Sequence, residues 1–208
     1  MQLNARLAAV GAYPFDRLRA LLDGVSPPAD IAPIPLSLGE PQHAPPAFLA
    51  EIVAREAAGW SKYPPMAGTK AVRDAISGWL TRRYDLPVGM VDGETMVIPV
   101  SGTREALFMI ALAAVPETKN GEKPVVLMPN PFYQVYMGAA VMAGAEPILV
   151  SAGKEDGFLP DFSSLPAEIL NRTVLAYYCS PANPQGTIAS MDDMKALISL
   201  AREHDFLL

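Results

Sequence analysis

Four short runs in this chain are apolar on both faces: MVIPV (96–100), VVLM (125–128), PILV (147–150) and TVLAYYC (173–179). Successive side chains of a strand point to opposite faces, so a run without a polar position has no face to give to water. Stretches with helical spacing alternate with these runs, over 103–115, 133–143, 162–170 and 191–204. Strands buried on both faces and alternating with helices predict the α/β class: a mostly parallel sheet flanked by helices. Phe206, Leu207 and Leu208 begin one more apolar strand. Two further helices are predicted over 47–58 and 69–84, and a short amphipathic arm with Leu18, Leu21 and Leu22 on one face ends at Gly24. Between the arm and those helices lies a proline-rich extended stretch, residues 25–47, which holds many of the chain's 21 prolines.

Several classes are excluded at this stage. Charged residues, Pro or Gly interrupt every apolar run well before the roughly 18 residues that span a membrane, and the first residues lack a signal-peptide core. No membrane partner is expected. The net charge is −6 without a basic cluster, which argues against nucleic acid. Cys179 is the single cysteine, so no intramolecular disulfide can form, and a reduced, cytoplasmic setting fits. His43 and His204 have no carboxylate or cysteine at metal-ligand spacing, so no metal is expected.

The chemistry-bearing residues cluster where the predicted strands end. In CSPANPQG, residues 179–186, each proline lacks an N–H and restricts its predecessor, so the chain turns sharply after the strand. Asn183 is thereby presented at the C-terminal edge, where open α/β sheets bind ligands. Its carboxamide suits a phenolic oxygen, although Asn before Pro is also an ordinary turn. In PVSGTREALF (99–108) a strand gives way to a helix at Ser-Gly-Thr. Free N–H groups there favour an anion, with Ser101, Thr103 and Arg104 as extra donors and Gly102 allowing close approach. The plainer reading is a cap by Ser101 or Thr103. After the next strand, MPNPFYQVY (128–136) offers Tyr133 either to a planar ligand ring or to the core, whereas Phe132 and Tyr136 read as core. Tyr63 heads a Pro-Pro turn in KYPPMAGTKAVRDAI (62–76), and Gly39 lies in LGEP (38–41). Alone, Tyr63 reads as structural, and Gly39 either leaves room for a substrate or simply makes a turn. The glycine-rich fingerprints of dinucleotide and P-loop sites are absent.

Taken together and in this order, LSLGEP, YPPMAGTKAVRDAI, SGTREAL, PNPFYQVY and CSPANPQG resemble the fold-type-I, pyridoxal-phosphate-dependent aminotransferases of class I/II. The resemblance covers nearly the whole chain. It implies that Gly102, Thr103 and Arg104 hold the cofactor phosphate with Ser101 beside them. Tyr133 would stack on the pyridine ring, and Asn183 would hydrogen-bond its 3-oxygen beside the substrate. Gly39 would line the substrate carboxylate site. Tyr63 would reach the phosphate of a neighbouring subunit, which implies a homodimer. Gln185 stands where the family usually has Thr, a mainly structural position.

AYPFDRLRALL, GEPQHAPP, GTREALF and MPNPFYQVYMGAA are similar to the branch that exchanges an amino group between glutamate and an N-succinylated keto acid of the diaminopimelate pathway to lysine. The family's chemistry needs a Schiff-base lysine and an acid at the pyridinium nitrogen. None of the six lysines (62, 70, 119, 123, 154 and 195) follows an apolar strand in such a setting. In the family both groups come after the strand that begins at Phe206. The resemblance thus implies a truncated chain: an arm and small-domain segment over 1–45, and an incomplete cofactor domain over 46–208, inactive by itself. Another reaction on the same scaffold, such as a β-lyase, or a non-catalytic binding or regulatory homologue, are the alternatives.

Overall fold

The alternation of buried runs and helices is realised in a computed structural model describing residues 4–11, 13–32, 34, 39–41 and 43–208. Of the LSLGEP segment, residues 36–38 lie outside them. The chain divides into two compact units, Met1–Arg17 with Val100–Leu208, and Leu18–Pro99.

In the first unit, β1 (Val125–Asn130) lies between β2 (Glu146–Ser151) and β3 (Thr173–Ala176), all parallel. Helices α4 (Thr103–Ala114) and α5 (Gln134–Ala143) cover one face, where Val126 and Met128 pack with Ala111, Ala139, Ala140 and Tyr177. Val125 and Leu127 point the other way, into Phe162, Leu170, Leu197 and Phe206, beneath α6 (Ala167–Arg172) and α7 (Met191–Glu203). Both faces of β1 are therefore buried, which accounts for its unbroken apolar run. The strand begun at Phe206 appears as one bridge: the Leu207 N–H donates to the Val174 carbonyl, and the Ala176 N–H to that of Leu207.

Three expectations are corrected. Residues 96–100 form no strand, because no strand pairs with them among the described residues; Val97 is buried while Met96, Ile98 and Val100 are exposed. The helix expected over 162–170 is split into a 3₁₀ turn, Phe162–Ser164, and α6. Pro166 is the cause: it forces Leu165 into an extended conformation. The strand expected over 173–179 stops at Ala176, although the Tyr177 N–H still reaches the Leu127 carbonyl.

The second unit holds α2 (Phe48–Arg55), a 3₁₀ turn over Ala57–Ser61 and α3 (Lys70–Tyr84). Arg73 of α3 is its buried anchor. The guanidinium donates to the carbonyls of Ala67 and Gly68 and pairs with Glu94 at 2.7 Å. Gly68 has φ +72°, and a Cβ there would stand 2.6 Å from Pro99 Cγ. The turn after Tyr63 is thus built around a residue that only glycine fills without strain. The remaining helix, α1 (Pro14–Leu22), has Leu18, Leu21 and Leu22 exposed.

Candidate active site

The three strands end together, and their C-terminal ends border a shallow cleft. Pro129 and Pro131 come from the end of β1, Ala152 from the residue after β2, and Cys179, Asn183 and Gln185 from the turn after β3. Tyr133 and Tyr136, at the start of α5, complete one wall. The turn holds itself together: the Ala182 N–H donates to the Thr187 carbonyl at 2.8 Å, and the Gly186 N–H to that of Ala182 at 2.7 Å. Asn183 sits on this turn, exposed, and its carboxamide has no hydrogen bond among the described residues.

Tyr133 is half-buried. It packs against the core edge-on to Tyr136, with ring centroids 5.8 Å apart, and also lines the cleft. The residue thus belongs to the edge of the core and to the cleft lining at once. Tyr136 is buried and stacks on Tyr177 at 4.3 Å, as a core residue should. Burial pushes the Tyr177 hydroxyl up to about 12, so it stays a donor to the Leu107 carbonyl. Phe132 also packs against this core.

The helix start at 101–104 joins the cleft through one bond. Arg104 Nε donates to the Tyr133 hydroxyl at 2.8 Å, and this bond, together with the nearby Glu105 charge, raises the arginine's pKa further. Neither Ser101 nor Thr103 caps α4. The N-cap is Gly102, which brings no side chain, so the plainer capping reading is not realised. The first amides of the helix are left for an anion. Glu105 folds back toward that place: a Cβ added at Gly102 would meet its Oε2 at 2.5 Å.

The structure brings Ser101, Gly102, Thr103, Arg104, Tyr133 and Asn183 into one unit around one strand edge. Gly39 and Tyr63 belong to the other unit. Gly39 has nothing within 4 Å of a would-be Cβ among the described residues, and the Tyr63 side chain is fully exposed. Gln185 was read from sequence as a structural position, yet its side chain lines the cleft. Its Nε2 donates to the Ala152 carbonyl, and its Oε1 is buried without a partner among the described residues. The departure from Thr was the available signal. No group of three His, Cys, Asp or Glu side chains fit to hold a metal occurs among the described residues, and no helix there is long and apolar enough to cross a membrane.

The family model for aminotransferase class I and II matches residues 32–208. The chain belongs to that family. Its members depend on pyridoxal 5'-phosphate, a planar, phosphorylated pyridine with a phenolic oxygen. The aminotransferase residues described above fit such a group: uncapped amides for the phosphate, an aromatic ring for the pyridine, and an unpaired carboxamide for the oxygen. LL-diaminopimelate aminotransferase from Gloeobacter violaceus is 31% identical over 210 residues, covering 100% of this chain and 51% of the relative. LL-diaminopimelate aminotransferase 2 from Trichormus variabilis is 30% identical, covering 100% and 52%. Among solved structures, an aminotransferase from Neisseria meningitidis superposes with a TM-score of 0.90 at 35% identity, covering 99% of this chain and 51% of that one. Aspartate aminotransferase from Thermus thermophilus, solved with maleate, gives 0.78 at 27% identity, covering 100% and 52%. Those aminotransferases have fold type I, and the parallel sheet flanked by helices is this chain's share of it. The chain spans about half the length of the curated relatives it matches.

Proposed function

We propose that this chain is the cofactor-binding portion of an aminotransferase that moves an amino group between glutamate/2-oxoglutarate and an amino or keto acid of the diaminopimelate route to lysine. The single observation that carries the reading is the Arg104–Tyr133 bond, which joins an uncapped helix N-terminus to the cleft holding Asn183. In this assignment the amides of Gly102, Thr103 and Arg104, with the Ser101 hydroxyl, bind the phosphate. The Tyr133 ring lies along the pyridine, and the Asn183 carboxamide bonds its 3-oxygen beside the substrate. Gly39 leaves room for a substrate carboxylate. Pyridoxal phosphate, when bound, supplies the electron sink that makes an amino group transferable. The protein's part here is to bind, orient and hold that group.

No lysine among the described residues lines the cleft, so none is placed to attach the cofactor or shuttle protons. The 208-residue chain is accordingly assigned as binding-competent and catalytically inactive. Borohydride reduction with pyridoxal phosphate should label no single lysine preferentially; one specific adduct on mass mapping sinks that assignment. The binding reading is tested with pyridoxamine 5'-phosphate, which is fluorescent and cannot react with surface lysines. Asn183→Ala should weaken it about three- to tenfold, the worth of one net hydrogen bond.

The substrate is assigned as N-succinyl-LL-2,6-diaminopimelate. The names of the relatives favour a second reading, unsuccinylated LL-diaminopimelate. Comparing kcat/KM for the two compounds, on a full-length protein that contains this chain, decides between them. We also assign residues 1–45 to an arm with a small-domain segment, 46–208 to the large domain, and the working unit to a homodimer in the cytoplasm. The exposed Tyr63 hydroxyl would then serve the partner subunit's phosphate. Sedimentation of that full-length protein tests the dimer.

A further inference from the structure

Gln185 divides its carboxamide between two surroundings. Its Nε2 donates to the Ala152 carbonyl at 3.1 Å. Reversing the amide would set two oxygens against each other, so the orientation is fixed by that contact. Oε1 is therefore turned away from Ala152, is shielded from solvent, and has no partner among the described residues. Both ends of the residue are firmly held. Ala152 is tied to the end of β1 by its N–H on the Asn130 carbonyl at 3.0 Å, and residues 182–187 close on themselves. Leaving a buried acceptor without a donor is unfavourable, so this oxygen is open to a donor that a ligand brings.

We propose that Gln185 Oε1 accepts a hydrogen bond from the amino group of the amine form of the cofactor, making it a specificity-determining residue. The inference rests on the cofactor reading above. Asn183, two residues earlier on the same turn and lining the same cleft, is assigned the ring's 3-oxygen. The neighbouring ring position carries the reacting group: an aldehyde oxygen, which only accepts, in one form, and an amine, which donates, in the other. A fixed carbonyl oxygen favours the second form. A Thr at this position has no carbonyl acceptor and cannot span to Ala152.

The test pairs two ligands with three variants of the chain. Pyridoxamine 5'-phosphate and 4-deoxypyridoxine 5'-phosphate share ring, phosphate and 3-oxygen, and differ in whether the 4' carbon carries an amine or only hydrogens. The wild type should bind the amine about three- to tenfold more tightly, the range of one net hydrogen bond. Gln185→Met, similar in shape but without the acceptor, should bring the ratio to about one. Asn183→Ala should weaken both ligands and leave the ratio intact. Gln185→Glu sets a carboxylate against the ammonium and should raise the ratio above wild type, which keeps the proposal falsifiable if Gln185→Met folds poorly. A ratio unchanged in Gln185→Met, or in Gln185→Glu where that variant decides, overturns the proposal while leaving the cofactor reading standing. Absence of binding to the wild type, or Asn183→Ala binding both ligands as tightly as wild type, removes the cofactor reading and this inference together.

Discussion

Arg104 and Tyr133 show how two side chains can share one purpose from distant parts of the chain. The arginine sits in the first turn of a helix whose amides await an anion, and its Nε holds the hydroxyl of the ring that faces the cleft. Because the Tyr133 oxygen accepts this bond, losing either partner frees the other, and their contributions to cofactor binding are coupled. Arg104→Gln and Tyr133→Phe should each weaken pyridoxamine 5'-phosphate, and the double variant should lose less than the product of the two factors. Strict additivity would mean that the bond plays no part in binding. Glu105 acts in the opposite direction. Its carboxylate leans toward Gly102, where a phosphate would lie, so two anions compete for one helix N-terminus. Glu105→Gln should therefore tighten inorganic phosphate and pyridoxamine phosphate about two- to fivefold at low ionic strength, fading with added salt. A loss of affinity would place Glu105 among the binding groups instead.

Among the elements, α7 is fastened at both ends. At its start Ser190 and Asp193 form a capping box: the Asp193 N–H donates to Ser190 Oγ, and the Ser190 N–H to Asp193 Oδ2. The Ser190 hydroxyl, then the Ser190 backbone N–H, hold the Asp193 carboxyl below its ordinary 3.8. A depressed folded-state pKa adds stability that is present above the unfolded value and lost as pH falls through the folded one. The urea midpoint of Asp193→Asn should therefore lie below wild type near pH 6 and approach it near pH 3; a gap that widens on acidification contradicts the box. At the other end, Lys119 donates to the carbonyls of Thr173, His204 and Asp205, tying α7 to β3. The two fastenings differ in how far the sequence reveals them. Ser190 and Asp193 stand at capping-box spacing ahead of an apolar helix, a local pattern. Lys119 reads only as one charge in a polar loop, because its acceptors are backbone carbonyls 54 to 86 residues away. The site divides the same way. Asn183 and the 101–104 turn are legible because proline and glycine mark the ends of apolar runs. The Gln185 span to Ala152 and the Arg73 anchor depend on tertiary geometry that spacing does not encode.

For the whole molecule, the decisive contrast is between the apolar runs that found partners and those that did not. Val125, Val126, Leu127 and Met128 are wholly buried between two helical layers. Met96, Ile98 and Val100, equally apolar in sequence, stand 66%, 76% and 52% exposed, and the helices add Met109, Ile110, Leu112 and Trp79 to the exposed set. An apolar pattern reports a capacity for burial, whereas a strand also needs a neighbour whose N–H and C=O groups it can share. Unpaired apolar segments and exposed apolar side chains each favour association with a similar surface, including that of another copy. The isolated chain should therefore enhance the fluorescence of 8-anilinonaphthalene sulfonate and sediment as a concentration-dependent mixture. Replacing Ile98, which is not among the residues lining the cleft, with Lys puts a charge into the apolar segment. It should lower the dye signal and shift sedimentation toward monomer, while the affinity for pyridoxamine 5'-phosphate stays where it was. A monodisperse wild-type monomer that leaves the dye dark would show that these side chains are covered in solution, and that burial here is achieved by contacts other than strand pairing.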